Sequence, residues 1–133
     1  MKTILVVDDS KVTRELIKVY LIVKGVRVLD ARDGMEALAI IRVERPDLVL
    51  CDLRMPHLDG PGLCRELRAD PALRDIPVII LTSNRDEASG RLCREAGARA
   101  VLGKPIGPHE LHDAVHRHAG IDVGLATKQP AKP

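Results

Sequence analysis

Asp8, Asp9, Asp52, Thr82 and Lys104 carry side chains whose chemistry belongs together if the chain brings them to one place. Three clustered carboxylates repel one another and raise one another's pKa values. A hard divalent cation relieves that repulsion, and Mg²⁺ prefers one or two carboxylates, waters and phosphate oxygens. One carboxylate of such a set can serve as a nucleophile and form an acyl phosphate. A lysine can balance charge on the transferred group, and a hydroxyl can donate to one of its oxygens. Catalysis of this kind is positioning plus electrostatics. It therefore demands elements that gather side chains scattered from position 8 to position 104.

The elements are legible around those residues. Short apolar runs at Ile4–Val7, Val26–Leu29, Leu48–Cys51, Val78–Leu81 and Ala100–Leu102 are β-branched or Leu-rich, brief and continuous. Such runs suit strands buried on both faces of a parallel sheet. Helix patterns lie between them. The first follows Asp9-Ser10 and runs to about Val23, where Gly25 can end it. The second follows Asp33, with Asp33 and Glu36 at capping-box spacing, and stops before Pro46. The third follows Asp59, with Pro61 in its first turn. The fourth follows Asn84, with Glu87 again at capping-box spacing, and ends at Gly97. The fifth runs from about Pro108 to Ala119, with Leu111, Ala114, Val115 and His118 at helical spacing. The alternation predicts a doubly wound α/β sheet with five helices. Sheets of this kind place their sites at the carboxyl ends of strands, where Asp8-Asp9, Asp52, Thr82-Ser83 and Lys104-Pro105 all fall. One domain over residues 1–120 is expected, followed by a polar, aperiodic and flexible tail over 121–133.

These pieces, Ile4-Leu5-Val6-Val7-Asp8-Asp9-Ser10, Leu50-Cys51-Asp52-Leu53-Arg54-Met55-Pro56-His57-Leu58-Asp59-Gly60, Ile80-Leu81-Thr82-Ser83, Gly97-Ala98 and Lys104-Pro105, resemble the receiver domain of bacterial two-component response regulators. The resemblance covers roughly Lys2 to Ala119, and in length the chain looks like the stand-alone, chemotaxis-regulator type. It implies a flavodoxin-like five-stranded parallel sheet of order 2-1-3-4-5. It implies Asp52 as phosphoacceptor and Asp9 as a direct Mg²⁺ ligand, with Mn²⁺ as a substitute ion. Asp8 would contribute directly or through water, and the backbone carbonyl of Arg54 would complete the protein ligands. Thr82 resembles the switch hydroxyl, and Lys104 resembles the family's lysine, followed by a cis peptide before Pro105. The implied donor is a histidine kinase or phosphotransfer protein. The implied output is contact with an effector protein at the face of the fourth helix, fifth strand and fifth helix. The chain would act as a signalling receiver that catalyses only its own phosphorylation and dephosphorylation.

Two positions depart from that pattern. The family usually carries Tyr or Phe three residues before the lysine, where this chain has Val101, and Phe is common where it has Ile106. Valine has no ring to swing with the switch hydroxyl. Two outputs follow: phosphorylation shifts that face by backbone and aliphatic repacking, or the phosphoryl group is passed onward. Arg54 and Asn84, two residues after Asp52 and Thr82, are expected to tune the acyl-phosphate lifetime. A haloacid-dehalogenase-type phosphatase also uses an Asp nucleophile and Mg²⁺, but it would place a second Asp where this chain has Arg54. A pseudo-receiver acting only as an interaction module is opposed by the intact set of five residues. A dinucleotide-binding reading fails because the first strand–helix turn is Asp-Asp-Ser rather than Gly-rich.

Composition sets the remaining bounds. The chain has 133 residues, 45% of them hydrophobic and 30% charged, enough for one core without staples. A single Tyr, with no Phe or Trp, leaves little to stack on bases. A net charge of +2 without a basic run gives no nucleic-acid face. The N-terminal apolar run is too short for a signal peptide, and no segment is long enough to span a bilayer. Cys51, Cys64 and Cys93 are widely spaced and read as reduced thiols, so a cytoplasmic location is expected. Cys51 points away from Asp52's face by the two-residue period; Cys64 and Cys93 read as ordinary helix-face residues. His109, His112, His116 and His118 read as surface histidines near a helix C-terminus rather than as a zinc site.

Overall fold

The computed structural model describes residues 1–23, 25–83 and 86–122. Each apolar run becomes a strand: β1 (Lys2–Val7), β2 (Val26–Ala31), β3 (Leu48–Asp52), β4 (Val78–Thr82) and β5 (Ala100–Gly103). They alternate with α1 (Lys11–Tyr20), α2 (Gly34–Glu44), α3 (Gly60–Ala69), α4 (Glu87–Glu95) and α5 (Pro108–Ala119). All strands pair in parallel, in the order β2-β1-β3-β4-β5. This is the flavodoxin-like doubly wound sheet. After β2 the chain crosses β1 to continue on its other side. That reversal opens a crevice at the carboxyl ends of β1 and β3.

Side-chain alternation along the strands splits the core into two layers. Leu5, Val7, Val49, Cys51 and Ile80 face α2 and α3, where Leu38, Ile41, Leu63 and Leu67 meet them. Ile4, Val6, Leu48, Leu50, Ile79 and Leu81 face the opposite way, onto Ile17 of α1 and Leu111 and Val115 of α5. Burying each such side chain contributes about 1.5–3 kcal/mol, so both layers resist sliding of the strands that carry the site. The thiols belong to the first layer: Cys51, Cys64 and Cys93 are all buried, and none is in a disulfide. Burial pushes the Cys64 thiol up to about 11 and raises Cys51 and Cys93 as well.

Capping oxygens begin four of the helices. Ser10, Asp33, Asp59 and Asp86 accept from the backbone N–H groups of Thr13, Glu36, Gly62 and Ser89. The last corrects the sequence expectation. Asp86, not Asn84, caps α4, so Glu87 is the first helical residue instead of a capping-box partner. Asn84 itself lies outside the described residues. Helix α4 also ends at Glu95 and not at Gly97, because the Ala98 N–H turns back to the Cys93 carbonyl around Gly97. Helix α1 ends at Tyr20 and not near Val23, since Leu21 tightens the last turn onto Ile17 and Lys18 and drops fully into the core. Ile121, just beyond α5, is also buried; residues 123–133 of the predicted tail lie outside the described residues. No helix among the described residues is long and apolar enough to cross a membrane.

Candidate functional site

Parallel register delivers the reactive residues to one edge. Val7 pairs with Ala31 and Cys51, Asp52 with Leu81, and Thr82 with Gly103. The next residues out of β1 and β5 are therefore Asp8 and Lys104, level with Asp52 and Thr82. Asp8 is buried at 2% exposure, the Asp52 side chain is 16% exposed, and Asp9 faces solvent. Carboxylate oxygens of Asp8, Asp9 and Asp52 lie within 4.8 Å of one another. Lys104 Nζ donates to Asp8 Oδ2 at 2.9 Å and to Asp52 Oδ1 at 3.1 Å. Lys104 precedes Pro105 through a cis peptide bond, and its N–H donates to the Thr82 carbonyl. Asp8, Asp9, Asp52 and Lys104 thus meet through their side chains, and Thr82 ends the neighbouring strand with its carbonyl on Lys104.

Each carboxylate is also held by backbone. Asp52 Oδ1 accepts from the Leu53 N–H at 2.9 Å, and Asp8 Oδ1 from the Ser10 N–H at 2.8 Å. Burial raises the Asp52 pKa above its ordinary value, and the negative charge of Asp8 adds to the rise against the pull of Lys104. Burial alone would lower the Lys104 pKa, but the hydrogen bond to Asp8 and the charge of Asp52 outweigh it, so the ammonium is held above its usual range. The pocket thus stores two opposed tendencies. Its carboxylates resist sharing a small volume, and a single cation holds them together. A donor set of three carboxylates within 4.8 Å, open on the Asp9 side, suits a hard oxygen-loving cation.

The loop after β3 closes against the site. Gly60 N–H donates to the Leu53 carbonyl at 2.9 Å, and a Cβ at Gly60 would lie 2.8 Å from the Asp52 carbonyl oxygen. Arg54 sits exposed on this loop, two residues beyond Asp52, and Met55 and Leu58 pack beneath it on the core. His57, at φ 73°, reaches Asp33 Oδ2 with Nδ1 at 3.2 Å and ties the loop to the start of α2. The Glu36 N–H, with His57, holds the Asp33 carboxyl below its ordinary value.

Thr82 is buried at the end of β4, and Val101 lies half-buried on β5. Together with Asp86, Gly90 and Arg94 of the α4 region they line a cavity of about 380 Å³. Space therefore remains between α4 and β5 where the valine stands. Ile106 is buried against α1 and α5. Asn84 is outside the described residues.

Sequence reasoning missed Arg14, whose guanidinium donates to the Asp8 carbonyl, and the contacts made by Gly60 and His57, which it placed only in the loop motif. Arg14 had a signal. It lies on the same face of α1 as Ile17 and Leu21, the buried stripe, where a charge needs a partner. The histidines also differ from expectation. His109 and His116 are exposed as predicted, but His112 is buried, with Nε2 2.5 Å from the Tyr20 carbonyl oxygen. Packing of α5 on α1 turns that residue inward, and its Nδ1 has no partner among the described residues.

Comparison with known proteins agrees with this geometry. Residues 4–116 match the family described as response regulator receiver domain. The response regulator MprA of Mycolicibacterium vanbaalenii is 44% identical over 109 residues, 81% of this chain and 46% of the relative. A response-regulator structure from Chloroflexus aurantiacus superposes with TM-score 0.85 at 34% identity, covering 90% of this chain and 98% of that one. The receiver domain of a Pseudomonas aeruginosa sensor histidine kinase, with a magnesium ion coordinated in its active-site cleft, superposes with TM-score 0.82 at 35% identity, covering 90% and 98%. The chain spans less than half the length of the curated relatives it matches, 46% in the case of MprA and 48% for a phosphate-regulon regulator.

Proposed function

Because this chain belongs to the response regulator receiver domain family of two-component systems, we propose that Asp52 accepts its phosphoryl group and that Lys104, Thr82 and the Asp8–Asp9 turn serve that transfer. The observation that carries the reading is Lys104 bridging Asp8 and Asp52 at 2.9 and 3.1 Å in a crevice with three carboxylates. Asp8, Asp9, Asp52 and the Arg54 carbonyl would hold Mg²⁺ or Mn²⁺. The ion supplies positive charge to the phosphoryl oxygens and screens the carboxylates from one another.

In the transfer, an Asp52 carboxylate oxygen attacks phosphorus of a phosphohistidine on a kinase or phosphotransfer protein. The P–O bond forms as the P–N bond breaks, and the electron pair stays with the imidazole nitrogen. Lys104 turns its ammonium from Asp52 to the incoming oxygens, while the Leu53 N–H keeps the carboxylate aimed. The Thr82 hydroxyl donates to a phosphoryl oxygen. In hydrolysis water attacks phosphorus as the Asp52 O–P bond breaks; the electron pair returns to the Asp52 carboxylate, and the water's protons leave with inorganic phosphate or to solvent. Arg54, exposed on the loop after β3, and Asn84 tune the lifetime of the acyl phosphate. The only reactions catalysed are the chain's own phosphorylation and dephosphorylation. Output is either contact with an effector through α4, β5 and α5, repacked around Val101, or onward transfer of the phosphoryl group.

Incubation with acetyl phosphate and Mg²⁺, followed by intact-mass measurement, tests the assignment. One added phosphoryl group is expected on the wild type and none on Asp52→Asn. Addition that survives Asp52→Asn, or none on the wild type, overturns it.

A further inference from the structure

Asp8 follows β1 directly, and its backbone carbonyl oxygen lies where the ladder to β2 runs out. The last rung is the Asp8 N–H donating to the Ala31 carbonyl at 3.1 Å. After Ala31 the chain leaves the sheet: the Arg32 N–H goes to Glu36, and Asp33 caps α2. A buried carbonyl without a donor is costly. Arg14 of α1 supplies the donor, with Nη1 2.7 Å from the Asp8 carbonyl oxygen. Its Nε meanwhile donates to Asp30 Oδ2 of β2 at 3.0 Å. Arg14 is 8% exposed, so the guanidinium is held in a fixed plane between the helix and the edge strand.

We infer that Arg14 is a positioning residue for the acid pocket: it fixes the backbone of Asp8, and through it the direction of the Asp8 and Asp9 carboxylates toward the cation and the phosphoryl group. The inference rests on the function proposed above. Asp8 is fastened at all four of its polar positions: N–H to Ala31, carbonyl to Arg14, Oδ1 to the Ser10 N–H and Oδ2 to Lys104. The Lys104 contact comes from a group that also takes part in the reaction, since the same ammonium bridges to Asp52. Arg14 stays, because its second partner is Asp30 and not a group of the reaction. The planar, two-pronged guanidinium is what the geometry requires; a lysine offers one point charge and cannot serve both acceptors in the same fixed plane. Groups that orient the ligands of a metal without touching it commonly govern affinity about 10–100-fold.

The test measures Mn²⁺ dissociation constants by electron paramagnetic resonance on wild type, Arg14→Met, Arg14→Lys and Arg68→Met, below the melting temperature of each. Arg68 donates to the carbonyls of Arg74, Ile76 and Gly97, at the opposite end of the strands, so its loss destabilises the fold without touching the pocket. Arg14→Met is expected to weaken Mn²⁺ binding about 10–100-fold, Arg14→Lys by less, and Arg68→Met not at all. Acetyl-phosphate labelling of Arg14→Met should recover as the metal concentration is raised. Unchanged affinity in Arg14→Met, or an equal loss in Arg68→Met, overturns the positioning role while leaving the pocket assignment standing. A wild type that binds no Mn²⁺ overturns both.

Discussion

At the scale of residues, the pocket is built around a conflict. Asp52 and Asp8 share a partly buried volume, with Lys104 between them. Since burial and Asp8 raise the Asp52 pKa, the folded chain holds that proton more tightly than the unfolded chain does. The stability this gives is present below the ordinary carboxylate pKa and is lost as pH rises through Asp52's raised value. Asp52→Asn escapes the loss. In chelator at neutral pH it should be more stable than wild type by roughly 0.5–2 kcal/mol, and the gap should close as the solution is acidified below the carboxylate range. Thermal melts across that range check it; a gap that stays constant with pH would contradict the cause given. Saturating Mg²⁺ should reverse the order, since a ligand at a hundredfold excess over its Kd adds about 2.7 kcal/mol, and the Asn variant lacks one ligand.

At the scale of elements, two strand–helix turns have different means of support. The β1–α1 turn relies on Arg14 and the Ser10 cap. The β3–α3 turn relies on the absence of a side chain at Gly60, which lets the start of α3 close onto Asp52 and Leu53. Gly60→Ala should cost about 1–3 kcal/mol by overpacking and slow acetyl-phosphate labelling of Asp52, because the strand end must move to admit the methyl group. Gly107→Ala has open space around it and should leave the labelling rate unchanged. Urea midpoints and labelling rates on both variants decide this; equal labelling rates would show that Gly60 serves packing alone. The helix starts also show how far local signals reach. Asp33 and Asp59 cap where spacing predicts, because capping is decided within four residues. At α4 the capping-box spacing of Asn84 and Glu87 misleads, because the Asp86 carboxylate accepts from the Ser89 N–H and takes the cap. Spacing alone does not locate the cap; the N–H that each carboxylate or amide reaches does.

At the scale of the whole molecule, the question is how a change at Asp52 leaves the pocket. Thr82 and Val101 line the same cavity between α4 and β5, so movement of the hydroxyl toward a phosphoryl group would alter the packing of β5 and α4 without any ring to carry it. Amide exchange with and without a phosphoryl analogue should show protection changes reaching β5 and α4. Changes confined to the strand ends would favour onward transfer of the phosphoryl group instead. On the other side, His112 on the Tyr20 carbonyl and Leu111 and Val115 in the core tie α5 to α1, and α1 should change least.

The sequence by itself determined the alternation of strands and helices, because buried parallel strands must be apolar on both faces and the helices between them must be capped. It also determined which side chains can do chemistry, since fold rules send the carboxyl ends of all the parallel strands to one edge. Asp8, Asp9, Asp52, Thr82 and Lys104 follow from that alone. Only the tertiary structure decided which neighbours each of them has. Whether Lys104 bridges Asp8 and Asp52, whether Arg14 finds the Asp8 carbonyl, whether His112 turns inward and whether Val101 leaves a cavity are all set by contacts between residues distant in the chain. Local patterns specify the elements; the packing of one element on another specifies the distances, and the distances make the site.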